Sequence, residues 1–135
     1  MGEVQCAVDS IRVAEGRPHE LTLILRQKGE NTYLPIWISQ HQGQILADEL
    51  NGSPDNTKDF DAFLDENGAA YSEIIAAIVS LDENAFHAKV LLSGHPSPYE
   101  VSCPIGLALA ISVRARASIL VDESLFDRAG VRLSS

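Results

Sequence analysis

The chain has 135 residues, close to the commonest size of a single domain, with a hydrophobic fraction of 45% and a charged fraction of 21%; that profile supports a packed core without disulfides and excludes a disordered tail. The formal net charge is −9, from 19 acidic against 10 basic residues, which excludes a general electrostatic attraction for polyanions. No run approaches the roughly 20 apolar residues of a membrane span, and Met1-Gly-Glu-Val-Gln-Cys6 has neither the basic head nor the apolar stretch of a secretory signal, so a cytoplasmic chain with no membrane partner is expected.

Val4 to Val13 is rich in strand formers and ends at the turn-like Glu15-Gly16-Arg17-Pro18. Leu21 to Leu25 and Tyr33 to Ile38 read as the next two strands, separated by the turn Lys28-Gly29-Glu30-Asn31. Connections this short predict antiparallel pairing of all three. Ser39 then has the character of a helix N-cap, with Ile45, Leu46 and Leu50 as the apolar stripe behind it and Gly52 as the stop. After the turn-forming Ser53-Pro54-Asp55-Asn56, a second helix is predicted from Thr57 to Glu66, with Phe60, Phe63 and Leu64 on one face.

From Tyr71 to Leu92 the pattern becomes that of a β-hairpin turning at Asp82-Glu83-Asn84, and its second half alternates cleanly through Phe86, Ala88, Val90 and Leu92. Tyr99 to Ser102 is a short strand. Pro104 to Val113 is an almost wholly apolar helix, predicted to be the central buried one. Ala117 to Val121 is a last strand, and Asp122 caps a final helix that ends at Gly130. The sum is a single α+β domain over residues 1–135, a largely antiparallel sheet with about four helices packed on it.

The chemistry-bearing residues are sparse. His19, His41, His87 and His95 have no zinc-motif spacing. The acidic run from Asp55 to Asp65 does not make a calcium loop, because Phe60 stands where the tight turn needs glycine. Cys6 and Cys103 are expected to be reduced and unpaired. Cys103 directly precedes a predicted helix, where unpaired amides can acidify a thiol; the alternative is a small buried hydrophobe. From Asn51 to Asn84 the carboxylates Asp55, Asp59, Asp61, Asp65, Glu66, Glu73, Asp82 and Glu83 face Lys58 alone, so any phosphate contact is assigned to the arginines that follow Pro104.

With the elements placed, Val8-Asp-Ser-Ile-Arg-Val13, Leu23-Ile-Leu-Arg26 and above all Leu34-Pro-Ile-Trp-Ile38 resemble the opening of the bifunctional nuclease domain family. The likeness continues through Ile45 to Gly52, Phe86-His-Ala-Lys-Val-Leu-Leu92, Pro104 with Leu107-Ala-Leu-Ala110, and Ile119 to Val121 with Ala129-Gly130. It implies an α+β fold, cleavage of phosphodiester bonds in DNA and RNA, nucleic acid as partner, and a divalent metal such as magnesium or manganese as the cofactor of a nuclease. Two motifs depart from the family. Thr57-Lys58-Asp59-Phe60 stands where the family reads Thr-His-Asp-Leu, and Cys103-Pro104-Ile105-Gly106-Leu107 stands where it reads Arg-Pro-Ser-Asp-Ala.

The first hypothesis is therefore a nuclease with Asp59 as metal ligand or base, Thr57 and Lys58 as helpers, and Arg114 or Arg116 on the phosphate. The second is a catalytically inactive binding or assembly module with the same fold, favoured by the acidic balance and by the apolar replacements at Ile105 and Leu107. A homodimer is expected, from the apolar segment Cys103 to Val113 and from the open edges of a sheet.

Overall fold

The computed structural model describes residues 2–13, 20–52, 56–82, 85–94 and 96–132. His19, His95 and the turns predicted at Glu15–Pro18, Ser53–Asp55 and Glu83–Asn84 lie outside the described residues. The elements run β1 (Glu3–Val13), β2 (Glu20–Gln27), β3 (Thr32–Ser39), α1 (Gln40–Leu50), α2 (Thr57–Glu66), β4 (Ile74–Asp82), β5 (Ala85–Leu92), β6 (Tyr99–Cys103), α3 (Ile105–Ala115), β7 (Ser118–Asp122), α4 (Glu123–Ala129) and β8 (Val131–Arg132). This is the expected α+β architecture.

The strands form one eight-stranded sheet in the order β6-β5-β4-β7-β1-β2-β3-β8. The β1-β2-β3 meander is antiparallel, as its short turns require, with an irregularity between Val8 and Ser10. The β4-β5 hairpin runs on into β6, also antiparallel. What joins the two halves is the parallel pair β4-β7, Ala76 opposite Ser118 through Val79 opposite Val121. Pro35 is tolerated in β3 because β8 pairs only with Thr32 and Tyr33, leaving the outer flank beyond them open among the described residues.

The helix boundaries follow local chemistry. Ser39 is extended and its hydroxyl accepts from the Gln42 amide at 3.2 Å, starting α1. Gly52 and Gly68 follow α1 and α2 with φ of 75° and 60°, left-handed turns that suit glycine. Asp122 caps α4, accepting from the Ser124 amide at 3.0 Å. The hairpin begins later than its sequence suggests. Tyr71–Glu73 forms a single tight turn instead of strand, because the Glu73 carboxylate accepts from the Ala70 amide at 2.9 Å.

α3 is the central helix, with Gly106, Ala108, Leu109, Ala110, Ile111 and Ser112 all buried. It lies against α1 and the strands β4, β5 and β7. The apolar segment that suggested self-association is thus consumed inside the core. Pro35, Ile36 and Trp37 of β3 share a cleft with Ala85 and Phe86 of β5 and Ile105 of α3. The sheet therefore curls around α3 and brings β3 near β5, although four strands, β4, β7, β1 and β2, separate them in sheet order.

Candidate functional site

α2 buries Phe60, Phe63 and Leu64. With about 3.6 residues per turn, that face carries Asp59, Ala62 and Glu66 along its rim. His41, Gln42 and Ile45 of α1 stand across from them, and Val101 to Pro104 with Leu107 close the end. The result is a cleft of about 400 Å³. Asp59 and the Cys103-Pro104 turn, far apart in sequence, line this one cavity.

The neighbouring predicted residues do not share it. Successive helical residues are rotated by roughly 100°, so Thr57 and Lys58 leave the cleft that Asp59 lines. Thr57 turns towards α3, where its hydroxyl accepts from Arg114 Nη1 at 3.3 Å. Lys58 is exposed. Arg114 binds Glu49 of α1 through two nitrogens, Nη2 at 2.6 Å and Nε at 3.2 Å, and lies over the Phe60 ring at 4.4 Å. The hydrogen bond to Glu49, and beyond it one to Tyr71, holds the Arg114 guanidinium charged still more firmly than usual. Arg114 ties α1, α2 and α3 together, and meeting a phosphate would mean giving up Glu49. Arg116 is exposed at the far end of α3, about 18 Å along the helix from Pro104, in a left-handed conformation with φ of 58°.

The amino terminus of α3 is capped from outside. Pro104 contributes no side-chain bond, and the Leu107 amide donates instead to Gln42 Oε1 at 3.1 Å. Gly106 is required here, because a Cβ at this position would overlap the Gln42 backbone carbonyl. In the family motif this is the place of the aspartate.

Cys103 is no activated thiol. Burial pushes it up to about 12, away from the range of a nucleophile, so the reading as a small hydrophobe holds. Cys6 and Cys103 are both free, and three strands, β7, β4 and β5, lie between theirs in the sheet.

A divalent cation, as the resemblance implies, does not find a protein-built cage. Asp59, Glu66 and His41 all line the cleft, yet among the described residues no three His, Cys, Asp or Glu side chains come together around one point. The residues that sequence reasoning had not assigned to a site are Glu66, Gln42 and Ser102. Glu66 was legible from helical spacing, about two turns beyond Asp59 on α2, whereas Gln42 and Ser102 reach the cleft from other elements and carry only a tertiary signal.

A family model described as the bifunctional nuclease domain matches residues 23–134. Uncharacterized proteins from two strains of Mycobacterium tuberculosis are each 32% identical over 133 residues, covering 97% of this chain and 77% of theirs.

Proposed function

Because this chain belongs to the bifunctional nuclease domain family, we propose that it is a nuclease-type domain directed at single-stranded DNA and RNA whose phosphodiester cleavage is strongly attenuated, with the Asp59 cleft as its site. One observation carries the reading. The retained Asp59 and the segment that replaces the family's Arg-Pro-Ser-Asp-Ala motif line the same cavity.

In this reading Asp59 accepts a proton from a water that attacks phosphorus, and the P–O electron pair departs with the alkoxide, which is protonated by solvent. Thr57, fixed by Arg114, and Lys58 hold the start of α2, and Arg116 offers a phosphate contact at the distal end of α3. No step is routed through a metal, whose cage the described residues do not build. The attenuation has a physical cause. No lysine or arginine among the described residues lines the cleft, and losing even one preorganised charge-stabilising group costs on the order of a hundredfold in rate. A cytoplasmic location and a homodimer belong to the same proposal; no helix among the described residues is long and apolar enough to cross a membrane.

The test is cleavage of single-stranded DNA and RNA by purified protein with magnesium or manganese. Slow turnover is expected, with a further fall of about a hundredfold in Asp59→Asn. Robust turnover indifferent to Asp59→Asn would move the chemistry to another residue, such as His41 or His87. Complete absence of cleavage would leave the second reading, an inactive binding module, which the net charge of −9 favours.

A further inference from the structure

The Asp59 cleft is one of a connected series. Ser102, Cys103 and Pro104 form its end wall and also line a second cleft of about 660 Å³, which continues to His87 and Lys89 on β5 and to Ser80 and the carboxylate Asp82 on β4. Phe86 and Ile105 of that second cleft in turn line a third, which reaches Trp37 on β3. The path exists because the sheet curls around α3, so that the Ser102–Ile105 turn becomes a ridge shared by cavities on both sides.

The chemistry along the path is ordered. His87 and Lys89 are two apart on β5 and both exposed, so they project from one face of the sheet. Ser80 is the cross-strand partner of His87 and Ser102 that of Lys89, which puts both hydroxyls on that face as well. Among the described residues Lys89 pairs with Glu100 at 3.6 Å, with both side chains about half exposed, 49% and 46%, an ion pair of the kind that contributes little and exchanges readily. Beyond these groups lie the half-buried Phe86 and then Trp37, 58% exposed, in a cleft otherwise lined by Pro35, Ile36, Ala85 and Ile105.

We propose that this path, from Trp37 past Phe86 and Lys89 to the Ser102–Pro104 ridge, is the binding track for single-stranded nucleic acid that feeds the Asp59 cleft. Such a ligand is held by aromatic ring faces on which bases stack and by a cation at the phosphate, here Trp37 and Phe86 on the one hand and Lys89 on the other. The track rests on the reading of the Asp59 cleft given above, and it names what that cleft lacks by itself. With one lysine on the path and an acidic molecule behind it, stacking supplies most of the affinity.

Trp37 is the only tryptophan in the chain, so its emission reports the track directly. An oligothymidylate of about ten nucleotides, within the range that one small domain covers, is titrated in EDTA so that no turnover is needed. Trp37 emission is expected to be quenched saturably, and the logarithm of the affinity to fall with the logarithm of salt at a slope near −0.7, the value for about one phosphate contact on a single strand. Lys89→Ala removes most of that slope, whereas Lys28→Ala, on the β2–β3 turn, leaves it in place. Trp37→Ala, read by anisotropy of a labelled oligonucleotide, weakens binding by roughly five- to a hundredfold.

The track is overturned if the oligonucleotide does not bind, if Lys89→Ala behaves like Lys28→Ala, or if Trp37 emission depends on protein concentration alone, which would make this face a contact between copies. Failure of the two proposals is distinguishable. Binding without cleavage ends the nuclease reading and keeps the track, while cleavage whose KM ignores both Lys89→Ala and Trp37→Ala keeps the nuclease and removes the track.

Discussion

Cys6 and Cys103 show how burial alone sets the behaviour of a residue. Desolvation disfavours the thiolate and pushes Cys6 up to about 11, with nearby Lys28 opposing it, and Cys103 up to about 12. The linkage has a definite sign. A thiol whose pKa is raised in the folded state contributes stability that is fully present below its unfolded value and is lost as pH rises past it. Folding stability should therefore decline above about pH 9, and Cys103→Ala should reduce that decline. Folded protein at pH 8 should react negligibly with a thiol reagent, while unfolded, non-reduced protein should titrate both thiols; finding none there would contradict the unpaired state.

At the scale of elements, Gly106 and Arg114, one at each end of α3, are two points at which α3 meets α1. Gly106→Ala or Gly106→Asp drives a side chain into the Gln42 carbonyl and should destabilise the fold by about 2–4 kcal/mol in denaturant unfolding. The consequence for function is that the family's aspartate cannot be restored by a single substitution, since the helices have closed on the space it would need. Arg114→Ala leaves Glu49, whose side chain is only 10% exposed, without its partner, and strips the cation from Phe60. A loss of about 1–3 kcal/mol is expected. Arg114→Lys should recover only part of it, because an ammonium cannot reproduce the two-nitrogen contact. If Arg114 acted on phosphate alone, both variants would keep full stability.

For the whole molecule, burial of α3 withdraws the strongest motive for self-association and leaves the sheet edges as the remaining one. β6 lies at one end of the strand order and is largely exposed, with Tyr99 and Glu100 open to solvent. A second copy pairing along β6 would give the expected homodimer. Sedimentation at micromolar concentration should show twice the chain mass; a monomer would end this expectation. The charge of −9 acts at the same scale, slowing encounter with any polyanion and making the local groups of the track decisive.

What the sequence determined by itself were the features whose causes lie within a few residues. The Ser39 cap, the span Thr57 to Glu66, the alternation of β5, the all-round apolarity of α3 and the Asp122 cap are each set by neighbours one to four positions away, so periodicity and capping chemistry suffice to find them. Tertiary structure alone decided the rest. The parallel β4-β7 pairing, the two-residue β8, the engagement of Arg114 by Glu49 and the capping of Leu107 by Gln42 join positions distant in the chain, the last two 65 residues apart. The clefts likewise join distant segments, α1, α2 and β6 in one and β3 with β5 in another. Asp59 was legible as a candidate through its motif, but its company in the cleft, and the path leading to it past Lys89 and Trp37, depend on distances that no local pattern encodes.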